Sequence, residues 1–330
     1  MYTYIIMKLL GKKGLLSLGN LKFNMNTIVI MIFTIIVMVL WNKYHYILEY
    51  VINRNVFYST MSLPYTPNRR NLLLYSNSTM HLTGVNLGYG LPSLEKFLKP
   101  LNVKTILYIP YAWPNIRDGV NTHAADNTIA GLQSTFSQVG VKIDMLDTTA
   151  ESSVQIEKIR RAEAVYMCGG NTFWLTRTLH ELGVIPILRE RINSGMPYIG
   201  ASAGTNIVCP TMQTTNDMPN TCIPSCETLN IIPFQINVHF NNCICPPGYG
   251  GESRTLRICE YLQGNRKFPS SGNPTFVLGL QEGSLLHVSG DKAELLGLQS
   301  RKPKFLQIKD GKFTATDLVV GSRVDNLLKN

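Results

Sequence analysis

Four short, nearly continuous apolar runs punctuate this chain, Leu72–Tyr75, Thr105–Tyr111, Ala164–Met167 and Tyr198–Gly200, and a further strand is expected over Val141–Leu146. Between them lie segments with apolar residues at helical spacing, among them Leu94, Phe97 and Leu98, then Ile129, Leu132, Phe136 and Val139, and later 154–162, 173–182 and 185–192. Short apolar runs without polar alternation suit strands covered on both faces. Strands that alternate with helices of about ten residues or more call for a parallel sheet, because parallel neighbours need a crossover. The expected fold class is α/β with a mostly parallel central sheet. In such sheets a site forms beyond the carboxyl ends of the strands. Here those ends are Ser76-Asn77-Ser78, Gly169-Gly170 and Ser202.

The last of these ends carries the strongest chemical signal. Gly200-Ala-Ser-Ala-Gly204 has glycines two residues either side of Ser202. That is the spacing of a nucleophile elbow, where the backbone turns too sharply for bulky neighbours and lifts the serine oxygen out of the sheet. A helix is expected to follow, from near Thr205-Asn206, with its N-terminal N–H groups beside the reacting centre. A serine attacks only if a base takes its proton and a third group orients that base. Of the histidines at 81, 123, 180, 239 and 287, His180 falls in a helical run and His287 in a strand. His239 ends the alternating stretch Phe234-Gln-Ile-Asn-Val-His-Phe240 and is the best base available. Two acids contend for the third place. Asp217 lies in the polar loop Thr214-Thr-Asn-Asp-Met-Pro219, and Glu282 follows the apolar run Phe276–Leu280. An oxyanion needs two converging N–H groups. Ala203, next to the serine, and Gly169 or Gly170, whose lack of a side chain lets backbone approach a substrate, are the candidates.

Charge and cysteine content exclude other classes. The net charge is +10, but residues 1–70 hold eight basic residues against the single acid Glu49, leaving +3 for the rest. The globular part is near neutral, so a nucleic-acid partner loses its main support. Seven cysteines without regular spacing do not describe a disulfide framework. Cys222-x3-Cys226 and Cys243-x-Cys245 lack the two-residue spacing of common zinc knuckles, so no metal is expected. Free thiols suit a reducing compartment. Thr27–Trp41 is an apolar run of 15 residues, short of the ~20 that span a bilayer. Three readings stand for it: a signal anchor held by Lys8, Lys12, Lys13 and Lys22, a secretory signal, or a stretch upstream of a true start at Met61. The globular part is expected in the cytoplasm, with single-pass anchoring through 27–41 as the alternative.

Taken together, these motifs closely resemble peptidase E, the α-aspartyl dipeptidase family of serine peptidases. The resemblance rests on Leu72-Leu-Leu-Tyr-Ser-Asn-Ser-Thr79, Gly169-Gly-Asn-Thr-Phe173, Tyr198-Ile-Gly-Ala-Ser-Ala-Gly-Thr-Asn206, Thr214-Thr-Asn-Asp-Met-Pro219, Pro233-Phe-Gln-Ile-Asn-Val-His239, Gly251-Glu-Ser-Arg254 and Gly279-Leu-Gln-Glu-Gly-Ser284, in order over about 71–290. It implies a three-layer α/β sandwich related to class I glutamine amidotransferases. It also implies cleavage of small peptides with N-terminal aspartate, without a cofactor. By position, Ser202 matches the nucleophile, His239 the base and Asp217 the relay acid. Glu282 matches an acid also considered for that role, and Arg254 an arginine associated with the substrate's aspartyl carboxylate. Cys168 stands where a third glycine is common, and Val238 where proline usually precedes the histidine. The expected organisation is an extension over 1–60, a linker over 61–70, a peptidase domain over 71–300 and a C-terminal strand and tail over 301–330. Two alternatives to an aspartyl dipeptidase are a cyanophycinase-like peptidase and a catalytically silent, membrane-tethered binding protein.

Overall fold

The computed structural model describes residues 16–18, 21–23, 34, 37, 38, 40, 41, 44, 69–79, 86–113, 123–241, 251–267 and 274–329. The chain divides into two compact units, Met1–Leu63 and Pro64–Asn330. In the first, β1 (Leu16–Leu18) pairs antiparallel with β2 (Leu21–Phe23). Most of Thr27–Trp41 lies outside the described residues, as do Cys243 and Cys245. Among the described residues no helix is long and apolar enough to cross a membrane.

The second unit is built on the alternation read in the sequence. Its strands are β3 (Asn71–Tyr75), β4 (Thr105–Ile109), β5 (Lys142–Met145), β6 (Ala164–Met167) and β7 (Tyr198–Ala201). Helices α1 (Leu91–Leu98), α2 (His123–Gln138), α3 (Ser152–Arg161), α4 (Thr172–Glu181) and α5 (Ile185–Asn193) lie between them. A four-residue helix, α6 (Ala203–Asn206), follows β7. The five strands pair in parallel in the order β3-β7-β6-β4-β5. Leu72, Leu73, Leu74 and Tyr75 of β3 are all fully buried. Successive side chains point to opposite faces of a strand, so both faces of the sheet are covered at β3.

Two features go beyond that plan. β10 (Ser284–Ser289) adds to β3 antiparallel, and β11 (Lys292–Gly297) adds to β10, giving a seven-stranded sheet. A second sheet of four strands has the order β13-β12-β9-β8, from β8 (Gln235–Phe240), β9 (Phe276–Gln281), β12 (Lys304–Lys309) and β13 (Lys312–Asp317). β8 and β9 run parallel, so both end on the same side. The pleat of β9 and the register shift of β8 between Asn237 and Phe240 explain the packing. Ile236, Val238, Phe276, Leu278 and Leu280 join the main core, while Phe240 and Val277 face Ile258 and Leu262 of α7 (Arg254–Lys267) in a smaller cluster.

The helix after Ser202 begins at Ala203, earlier than its sequence expectation, and lasts one turn. Residues 207–209 give their carbonyls to another partner. Ile207 O, Val208 O and Cys209 O accept from the N–H groups of Leu229, Ile231 and Asn230 at 2.8, 2.8 and 2.9 Å.

The elbow itself depends on close backbone approach. A methyl group on Gly200 would lie 2.6 Å from the Gly204 carbonyl oxygen, and one on Gly204 would collide with the Met167 carbonyl oxygen. Neither neighbour is a side chain that can swing away. Gly204→Ala is therefore expected to lower stability by about 1–3 kcal/mol or more, read as a reduced urea midpoint at unchanged m-value.

Candidate active site

Ser202 follows β7 directly, with φ 52° and ψ −110°. A non-glycine residue with positive φ outside the left-handed helical well is strained, as an elbow requires. Its hydroxyl oxygen lies 2.7 Å from His239 Nε2. On the other side of the ring, Nδ1 lies 2.6 Å from Glu282 Oε1. An ionised carboxylate can only accept, so Nδ1 carries the proton in this arrangement, Nε2 is free to accept, and the serine hydroxyl donates to it. The imidazole is about one-third exposed and the Glu282 carboxylate half exposed, so the outer end of this chain of bonds is open to solvent.

His239 also has positive φ, at 51°, and sits where the β8–β9 register shifts between Asn237 and Phe240. A bulge re-aims a side chain that a regular pleat would send elsewhere. The backbone around it is held at several points. Ser76 Oγ accepts from His239 N–H at 2.9 Å and donates to Leu280 O at 2.7 Å. Asn216 Nδ2 donates to Val238 O at 2.7 Å, and Asn237 Nδ2 to Thr214 O at 2.7 Å. Asn77 Oδ1 accepts from Gly283 N–H at 2.9 Å, which fixes the turn carrying Glu282.

Asp217 lies elsewhere in the same region. Its Oδ2 accepts from Thr172 N–H at 2.7 Å, from Thr172 Oγ1 at 2.5 Å and from Thr215 Oγ1 at 3.0 Å. Thr172 is the first residue of α4, so the carboxylate occupies that helix's N-terminus, where a negative charge is favoured. Asn171 caps the same helix, accepting from Phe173 N–H and Trp174 N–H. The segment just before this cap is Gly169-Gly170. Of the two contending acids, Glu282 is therefore bonded to the imidazole and Asp217 to the start of α4.

Of the candidate oxyanion donors, Gly169 runs beside the serine and Ala203 follows it in the chain. A Cβ on Gly169 would lie 3.2 Å from Ser202 Cβ, which measures how closely the two backbones pass. Gly170 has φ 138°, and a Cβ there would lie 2.7 Å from Ala112 O. Among the described residues, none of Gly169, Gly170 and Ala203 donates its backbone N–H to a protein acceptor. Cys168, beside them, is buried, and that burial pushes its thiol up to about 11. Arg254 opens α7, reaches Val238 O at 3.4 Å, and lines a cleft of about 250 Å³ with His239, Gln281, Glu282 and Arg301.

The sequence reading brought together Ser202, His239, Asp217, Glu282, Gly169, Gly170, Ala203 and Arg254, and assigned no part to Arg301. Ser76 and Asn77 were placed at a strand end beside the site, with no contact to His239 or the Glu282 turn assigned to them.

A family model, Peptidase family S51, matches residues 72–296. The chain is 37% identical over 234 residues to a probable alpha-aspartyl dipeptidase of Drosophila melanogaster, covering 71% of this chain and 89% of that one. It is 37% identical over 232 residues to peptidase E of Haemophilus influenzae, covering 70% and 97%. Among solved structures, a peptidase from an acI-B1 Actinobacterium superposes with a TM-score of 0.53 at 17% identity, covering 78% of this chain and 98% of that one. This last likeness concerns the fold, an α/β arrangement around a mostly parallel sheet.

Two tests follow from the geometry. Ser76→Ala strips His239 N–H and Leu280 O of a shared buried partner. It is expected to lower stability by about 1–3 kcal/mol and to reduce kcat more than KM, measured by denaturant titration and steady-state kinetics. Native-state alkylation at pH 8, followed by mass spectrometry, should label the exposed Cys222 and Cys226 and leave Cys168 unmodified.

Proposed function

Because the chain belongs to peptidase family S51, we propose that it is a serine dipeptidase that cleaves dipeptides with N-terminal aspartate. Ser202 Oγ attacks the carbonyl carbon of the aspartyl residue while its proton passes to His239 Nε2. Glu282 accepts from Nδ1–H and stabilises the imidazolium that forms. The oxygen that gains charge receives the N–H groups of Ala203 and of Gly169 or Gly170. As the intermediate collapses, the C–N bond breaks and His239 returns the proton to the leaving amine. Water, deprotonated by the same imidazole, then attacks the acyl carbon, the bond to Ser202 Oγ breaks as that oxygen takes the proton back from His239, and aspartate is released. Arg254 pairs with the aspartyl side chain, since a guanidinium fork matches a carboxylate.

The observation that carries this reading is the continuous run of contacts from Ser202 Oγ through His239 to Glu282, at 2.7 and 2.6 Å. It favours Glu282 over Asp217 as the acid that orients the imidazole. Asp217 then acts at one remove, holding the start of α4 and with it Gly169-Gly170. No cofactor or metal enters any step. A reducing cytoplasmic setting is supported by the free cysteines at 168, 209, 222, 226 and 259.

The purified full chain is expected to hydrolyse Asp-Leu and to leave Ala-Leu essentially untouched; equal rates on the two would sink the aspartyl specificity. Ser202→Ala should lower kcat about 10⁴-fold or more. Glu282→Gln should cost more in kcat than Asp217→Asn, and the reverse order would return the relay role to Asp217.

A further inference from the structure

Arg301 lies beyond the stretch matched by the family model, which ends at residue 296. Its loop, between β11 and β12, is nevertheless fastened to the turn that bears Glu282. Leu298 N–H donates to Gly283 O at 2.8 Å, and Lys302 N–H to Gln281 Oε1 at 2.8 Å. Arg301 N–H closes the loop on Leu298 O at 3.0 Å. A Cβ on Gly283 would stand 3.1 Å from Arg301 Nε, so the side chain runs directly against that turn. These ties bring Arg301 into the cleft that His239, Arg254 and Glu282 also line. Its Nε is buried and has no hydrogen-bond partner among the described residues. The one carboxylate among the lining residues, Glu282, is engaged with His239.

Arg301 thus brings a cation to a cleft whose one lining carboxylate is committed to His239, which suits an acidic ligand. An aspartyl dipeptide brings two carboxylates, the side chain and the C-terminus. The direction of catalysis separates them. His239 protonates the leaving amine, so the departing residue lies on the imidazole's side of Ser202. Its carboxyl carbon is two bonds from the nitrogen that receives the proton. A cation on the His239 flank is therefore placed for the C-terminal carboxylate. We propose that Arg301 is a specificity-determining residue that pairs with the C-terminal carboxylate of the substrate and so confines the enzyme to dipeptides. In a longer peptide an uncharged amide takes that position, and the guanidinium is left without its counter-charge. This inference rests on the aspartyl dipeptidase reading given above.

The test compares Asp-Leu with Asp-Leu amide on the full-length wild type and on Arg301→Ala and Arg301→Lys, with folding checked by circular dichroism. Wild type should prefer the free acid. Arg301→Ala should lose about 30-fold in kcat/KM on the acid, chiefly through KM, and less than about threefold on the amide. Arg301→Lys, which keeps the charge but not the fork, should fall between. If Arg301→Ala does not fold, Arg301→Gln carries the same expectation. An unchanged acid-to-amide ratio in the variant, or an equal loss on both substrates, would overturn this role for Arg301 while leaving the dipeptidase reading intact. Failure of folded wild type to cleave Asp-Leu would overturn both.

Discussion

Three consecutive residues at the carboxyl end of β3 touch the three segments that bear the reacting groups. Tyr75 O accepts from Ser202 N–H at 3.2 Å and from Thr205 Oγ1 at 2.7 Å, which ties down the elbow and the turn after it. Ser76 Oγ holds His239 N–H, and Asn77 Oδ1 holds the turn after Glu282. β3 is an inner strand, flanked by β7 and β10, and its apolar side chains are fully buried. A group that must sit within about half an ångström of its productive position needs this kind of support from rigid elements. The distances of 2.7 and 2.6 Å along the serine, histidine and glutamate are in this sense a property of one strand end.

The second sheet supplies the rest. β8 brings the histidine and β9 leads to the glutamate, and parallel pairing makes both strands deliver their ends to one place. In the regular pleat, His239 would share a face with Asn237. The register shift and the positive φ at 239 break that regularity and turn the ring toward Ser202. Asp217 and Asn216 contribute from the loop beside them, one at the head of α4 and the other on β8. In the proposed mechanism the acid fifteen residues after Ser202 thus supports the oxyanion side of the site, while the acid after β9 supports the base.

Much of this was legible in the residues. The apolar runs that announced β3, β4, β6 and β7 are buried strands because nothing polar interrupts them, whereas β5, with Lys142 and Asp144 in it, is the exposed edge of the sheet. The glycines at 200 and 204 marked the turn, and His239 stood out because few histidines compete with it. Strand partners were not legible. β10 joins β3 across about two hundred residues, and β8 finds β9 some forty residues away, so pairing is decided by tertiary packing that no local pattern carries. The choice between Asp217 and Glu282 was hidden for the same reason: both are acids at the ends of polar or apolar segments, and only the second sheet decides which one meets the ring. Ser76 reads locally as a turn residue, and Arg301 in Gln299-Ser-Arg-Lys302 as a solvated loop cation. Each acquires its part from a neighbour distant in the chain.

The backbone at the nucleophile has a consequence for how such a chain changes over time. Ser202 is held at φ 52° and ψ −110°, a conformation that costs a residue with a side chain about 1–3 kcal/mol. Glycine would occupy the same turn with little penalty. The inactive sequence is thus the easier one to fold at this position, and drift away from activity runs downhill in folding free energy. In the proposed mechanism, serine at 202 is thus the residue that the chemistry needs and its own backbone disfavours.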